Sequence, residues 1–184
     1  SSYLQNNGNG KFSITALPLA AQVSTLNGMQ VDDFNGDGNL DIAINGNDFG
    51  TEVSVGRYDA LNGLIMLGDG KGGFLPQSIL ESGLFLPGNG KALVKLTNAK
   101  GEYLMAASQN KGPLKIYKSK IIQTSIKVMP NEVAAIITYT NGKTRKEEFY
   151  YGQSFLSQSG RSILKNDKIK SITIIDNKGS RRTI

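Results

Sequence analysis

Residues 31 to 44 read VDDFNGDGNLDIAI, in which Asp32, Asp33, Asp37 and Asp41 and two asparagines, Asn35 and Asn39, precede an apolar stretch. Asp33, Asn35, Asp37 and Asp41 fall at positions 1, 3, 5 and 9 of a nine-residue loop. Side-chain oxygens at alternating positions can converge on one hard cation. The backbone carbonyl of Asn39 would complete an oxygen-only shell of the kind calcium accepts at about 2.3–2.6 Å. Gly36 and Gly38 supply the positive φ that a tight wrap requires. An EF-hand would need glutamate at position 12, where Ile44 stands in a strand-like run, so the expected geometry is a calcium loop in a β-hairpin. Magnesium demands a stricter octahedron and keeps its waters, which favours calcium. The competing reading is a polar turn, since Asp, Asn and Gly are all turn formers. Against it, three carboxylates within nine residues repel one another unless a cation sits among them. Asp32 lies one residue before this register and is assigned a structural or solvent role.

Little else in the chain can do chemistry. Cysteine and histidine are both absent, which removes thiol nucleophiles, disulfides and thiolate or imidazole metal sites. Serine therefore has no imidazole base, and no GxSxG elbow is present. The runs GDGKGGF and PGNGKALV lack the GxxxxGK[ST] spacing of a phosphate loop. Glu147 and Glu148 are the only adjacent acids outside the loop, and on a strand they point to opposite faces. A noncatalytic protein is expected.

The elements that must position the loop are short apolar runs bounded by Gly, Asn and Asp, such as DIAIN, LIML, KALVKL and SITIID. None sustains helical spacing over a dozen residues, so the expected fold class is all-β. Nothing approaches eighteen consecutive apolar residues. YLQNNGNGKF (3–12) superposes on IMLGDGKGGF (65–74) at an offset of 62, and the same offset lays residues 41–47 over 103–109. Two matches at one offset indicate a repeat. At that offset the later loop positions are Lys95, Thr97, Ala99 and Tyr103, which cannot bind a cation, so one calcium site is expected. Relative to the later copy, residues 48–62 are an insertion, held by its own Arg57, Asp59 or Glu52 charges or serving as a recognition loop.

Charge and glycine both divide near Lys118 to Ile121. Residues 1–118 carry nine Lys/Arg against ten Asp/Glu, whereas residues 119–184 carry twelve against five and only four of the 22 glycines. This marks a domain boundary at 118/119. The basic residues of the second part (Lys143, Arg145 and Lys146 among them) are scattered and no nucleic-acid motif organises them, so no specific nucleic-acid binding is expected.

VDDFNGDGNLDIAI together with LIMLGDGKGGF resembles the FG-GAP or VCBS repeat, the blade of integrin-α-type β-propellers. EEFYYGQSFLSQSGR (147–161) resembles the ASPIC/UnbV signature, though SILKNDK replaces the glycine-rich stretch that usually follows. The resemblance implies a partial β-propeller of about two blades of antiparallel four-stranded sheet over residues 1–118, with a calcium-loop repeat at about 19–79 and a degenerate repeat at about 88–118. A small basic C-terminal β domain follows at 119–184. It also implies one structural Ca2+ held by Asp33, Asn35, Asp37, Asn39 and Asp41. The chain starts without an apolar leader and reads as a segment of a longer exported protein. Its open sheet edges would pair with further blades upstream or with a second copy. The expected function is binding or adhesion toward an unknown protein or glycan ligand. The alternatives are a structural segment whose basic part docks on an acidic surface or polyanion, and a polysaccharide-active enzyme.

Overall fold

The computed structural model describes residues 1–121, 123–152 and 154–184. Among the described residues strands take 48% and helix 4%, so the fold is all-β, as the short apolar runs implied. Strands β1 (Ser2–Asn6) and β2 (Phe12–Ala16) form a hairpin. Strands β3 (Leu26–Asp32), β4 (Asp41–Gly46), β5 (Leu64–Gly68) and β6 (Phe74–Gln77) form an antiparallel meander. A one-turn helix, α1 (Ile79–Ser82), follows; Ser78 and Glu81 cap each other's backbone amides in the S-x-x-E arrangement. Strands β7 (Gly90–Thr97), β8 (Tyr103–Gln109) and β9 (Lys115–Lys118) make a second meander. The remaining strands are β10 (Thr124–Lys127), β11 (Glu132–Tyr139), β12 (Thr144–Glu148), β13 (Ser162–Lys165), β14 (Ile169–Asp176) and β15 (Arg181–Thr183). They form a β10–β13 pair and a sheet of order β12-β11-β14-β15. Among the described residues no helix is long and apolar enough to cross a membrane.

The repeat falls on strands: shifted by 62, β1 lands on β5 and β4 on β8. Two expectations need correction. The second meander has three strands where four were expected, because after Lys118 the chain leaves for β10, which pairs with β13. The later loop also spans only 98–102, against 33–40 in the first copy. Lys95 and Thr97 therefore lie inside β7 and not in a loop.

Strand β4 is buried along its whole length because both of its faces are covered. Ile42 and Ile44 face a cluster with Leu17, Leu61, Leu64 and Met66, and Ala43 faces another with Leu93, Met105 and Leu164. Two buried asparagines stitch the meanders together. Asn45 accepts from Gly28 N (2.8 Å) and donates to Ala92 O (3.0 Å). Asn47, at φ 83°, accepts from Leu61 N (3.0 Å) and donates to Leu61 O (2.7 Å) and Gly88 O (2.8 Å). The inserted residues 48–62 are pinned by the Asp48–Tyr58 bridge and by Arg57 stacked 4.9 Å over Phe49. No ion pair among the described residues includes Arg57, Asp59 or Glu52, so cation–π contact replaces the expected charges.

The C-terminal residues pack against both meanders. The hydroxyl of buried Ser159 accepts from Lys95 N (3.0 Å) and Gln30 Nε2 (2.8 Å), and Gly160 N donates to Lys95 O (2.7 Å). Within the C-terminal sheet, the buried Glu132 carboxylate accepts from Arg182 and from Met129 N (2.7 Å). The Arg182 hydrogen bond outweighs burial and holds Glu132 below its ordinary 4.5. A carboxyl whose folded pKa is depressed contributes stability that is present above the unfolded value and is lost as pH falls through the folded one. Glu132→Gln is thus expected to cost about 1–2 kcal/mol at neutral pH, at the low end because Arg182 is partly exposed. The deficit should shrink below pH 4.5, as read from urea unfolding at several pH values. A deficit that stays constant from pH 7 to pH 3 contradicts it.

Candidate metal centre

The acidic loop occupies 33–40 between β3 and β4, closed at its base by the Asp32–Asp41 strand pairing. Gly36 (φ 71°) and Gly38 (φ 91°) take the left-handed backbone expected of them. Their positive φ turns successive amides inward, and the carboxylates close on those amides. Asp33 Oδ1 accepts from Asp37 N (3.0 Å) and Oδ2 from Gly38 N (2.9 Å). Asp41 has no exposed surface; it accepts from Phe34 N (2.8 Å), Asn35 N (3.3 Å) and, across the sheet, Gly68 N (2.9 Å). Exposed Asp37 accepts from Asn39 N (2.7 Å) and from Asn35 Nδ2 (3.1 Å), while Asn35 Oδ1 accepts from Asp37 N (2.9 Å).

Burial pushes the Asp33 and Asp41 carboxyls above 3.8 despite these donors. Asp37 raises Asp33 further and Asp33 raises Asp41, whereas Arg145 pulls Asp33 down. No ion pair among the described residues includes Asp33, Asp37 or Asp41. The five expected positions thus share one loop and interact. Among the described residues, however, no cluster of three or more Asp, Glu, His or Cys groups is assembled as a cage. An ion would need the Asn35 amide oxygen and the Asn39 carbonyl as well. The donor chemistry fits a hard cation: all candidate donors are oxygen, and a carboxylate that has accepted two N–H groups keeps further lone pairs.

Asp32 has the structural role and not the solvent one. Its carboxylate pairs with the Lys95 ammonium at 3.0 Å, the two side chains being 5% and 9% exposed. Burial, the largest influence on Lys95, pulls its pKa down, but the attraction of Asp32 and Glu147 leaves it above 10.5. Glu147 lies half-buried near the pair; burial, then Asp32, push its carboxyl up, opposed by Lys95 and Arg145. Glu148 points the other way, exposed and paired with Lys146 at 2.6 Å, as alternation on β12 requires. Nothing local marked Lys95 or Glu147 as partners of Asp32, because the three meet only through tertiary packing.

C-terminal residues touch the loop at Asn39, Asp33 and Gly38 and leave Asp37 exposed. Lys143 donates to Asn39 Oδ1, Gln123 Nε2 donates to Asp33 O (3.2 Å), and the Tyr139 ring lies against Gly38. Compared with protein-family models and with curated proteins, the chain matches none.

Proposed function

We propose that the chain is a noncatalytic binding module of an exported protein, its acidic loop stiffened by one calcium ion held by Asp33, Asn35, Asp37, Asn39 and Asp41. The observation that carries the calcium reading is a pair of buried, mutually repelling carboxylates, Asp33 and Asp41, that lack any ion-pair partner among the described residues. The FG-GAP/VCBS and ASPIC/UnbV resemblances support the same reading, and the outer strands β6 and β9 are the edges where further blades or a second copy would pair. Millimolar extracellular calcium would fill a site of about 10⁻⁴–10⁻³ M affinity.

Thermal unfolding with calcium and with chelator tests it. Calcium at ten to a hundred times Kd is expected to add about 1.4–2.7 kcal/mol, raising the midpoint by about 3–10 °C. Asp37→Ala should abolish this shift while leaving the chelator midpoint nearly unchanged, since Asp37 is exposed. A wild-type midpoint unmoved by excess calcium rejects the cation.

A second reading, a structural segment whose basic part docks on an acidic surface, is favoured by one feature: Lys143 and Arg145 face the acidic loop of the same chain. A glycan and polyanion binding screen at two salt concentrations separates the two, because internal docking predicts no ligand. Hydrolysis of a polysaccharide is the weakest reading, since Glu147 is enclosed with Lys95 and Arg145 and Glu148 is tied to Lys146.

A further inference from the structure

Strand β3 is inside out. Gln30 and Asp32 are buried at 5% and 4% exposure, while Met29 and Val31 between them are 38% and 47% exposed. The inward polar pair is explained: Gln30 bonds Leu93 O and Ser159, and Asp32 holds Lys95. The outward apolar pair is not. Met29 and Val31, with Leu40 at 41% exposure, line a cleft of about 540 Å³ that extends to Phe74, the ring edge-to-face with Tyr3. That volume lies within the roughly 300–1,000 Å³ of small-molecule sites, and outward apolar side chains grouped beneath a polar rim mark a binding surface.

The rim is cationic. Lys71, Lys143 and Arg145 border the cleft. Among the described residues neither lysine forms an ion pair, and the Lys143 ammonium rests only on the neutral Asn39 amide. Arg145 is paired with Glu147 through Nη2 (3.4 Å), and its Nε and Nη1 are buried without a hydrogen-bond partner. The nearby acid, Asp69, is turned back onto the amides of Lys71 and Gly73. We infer that this cleft binds an apolar acid, a small molecule with a hydrophobic body and one anionic head. The apolar wall offers a polyanion nothing, and an uncharged apolar molecule would leave Lys71 and Lys143 without a counter-charge. The inference rests on the reading of the chain as a binding module but not on its calcium.

The probes are anilinonaphthalene sulfonate and phenylnaphthylamine, the same aromatic body with and without its anionic head, titrated by fluorescence into the full chain in calcium and in chelator. Wild type is expected to bind the sulfonate at one site, at least tenfold tighter than the amine. Lys143→Glu should erase that preference, and Val31→Asp, at a half-exposed position, should weaken both probes at least tenfold at an unchanged thermal midpoint. Equal affinity for the two probes overturns the inference. So does indifference to Val31→Asp, or a dimer in sedimentation from which the sulfonate is excluded, which would assign the face to a second copy. A calcium-insensitive thermal midpoint with sulfonate binding intact would reject the cation alone.

Discussion

Replacing Asp41 by alanine is expected to lower stability by about 3–5 kcal/mol, in chelator as much as in calcium. The carboxylate is fully enclosed and holds three backbone N–H groups from two places in the chain, those of Phe34 and Asn35 in the loop and of Gly68 on β5. A hydrogen bond to a charged group contributes about 1.5–3 kcal/mol, and removing the acceptor leaves buried donors unpaired. Burial of the charge outweighs what the donors return to the ionised form, as the raised Asp41 pKa records, so the cost comes from the buried amides left unpaired and falls well short of three charged bonds. Asp41→Asn should lie between wild type and alanine, because one of its two side-chain positions becomes a donor facing donors. The contrast with Asp37→Ala is informative: position 41 stabilises the chain without any ion, whereas position 37 matters only with one. Urea unfolding in chelator reads it, and a loss below about 1 kcal/mol for Asp41→Ala would mean the three amides find other acceptors.

The loop was legible because its information is local. Alternating oxygens, two glycines at positive φ and the following apolar run all sit within fourteen residues, and the turn they specify is the one formed. The repeat that places β1 on β5 was readable because each copy is a contiguous run of ten residues. What touches the loop was not. Lys143 reaches Asn39 across 104 residues, and Ser159 reaches Gln30 across 129. No periodicity encodes such pairs. Strand β3 shows the limit most directly. Its alternation of Met29, Gln30, Val31 and Asp32 is a correct strand signal, but the usual assumption that apolar positions face inward reverses it. The buried side is polar because β7 and the Ser159 segment supply Lys95 and main-chain partners that only the fold brings there.

That buried polar side carries the second large effect, at Lys95. Lys95→Ala is expected to cost about 3–5 kcal/mol, the range for removing one partner of a buried pair, because it leaves the Asp32 carboxyl, 5% exposed, without its ammonium. Glu147 adds to the penalty, since the Lys95 ammonium is the strongest attraction opposing its burial and its repulsion from Asp32. Asp32→Ala should be milder: Lys95 keeps Glu147 as a counter-charge and its stem stays packed. The double change to Lys95→Met with Asp32→Leu should recover most of the loss, because well-packed apolar residues often replace a buried ion pair at no net cost. The cycle of wild type, Lys95→Met, Asp32→Leu and the double change isolates the coupling, expected within about 0.5–3 kcal/mol, and urea unfolding of these four proteins measures it. Additive single effects would show that the pair is solvated in practice and that β3 is held by Gln30 alone. A large coupling places the inward-facing charge among the features that fix β3 in its inverted setting, and so ties the exposure of Met29 and Val31 to a residue on the opposite face.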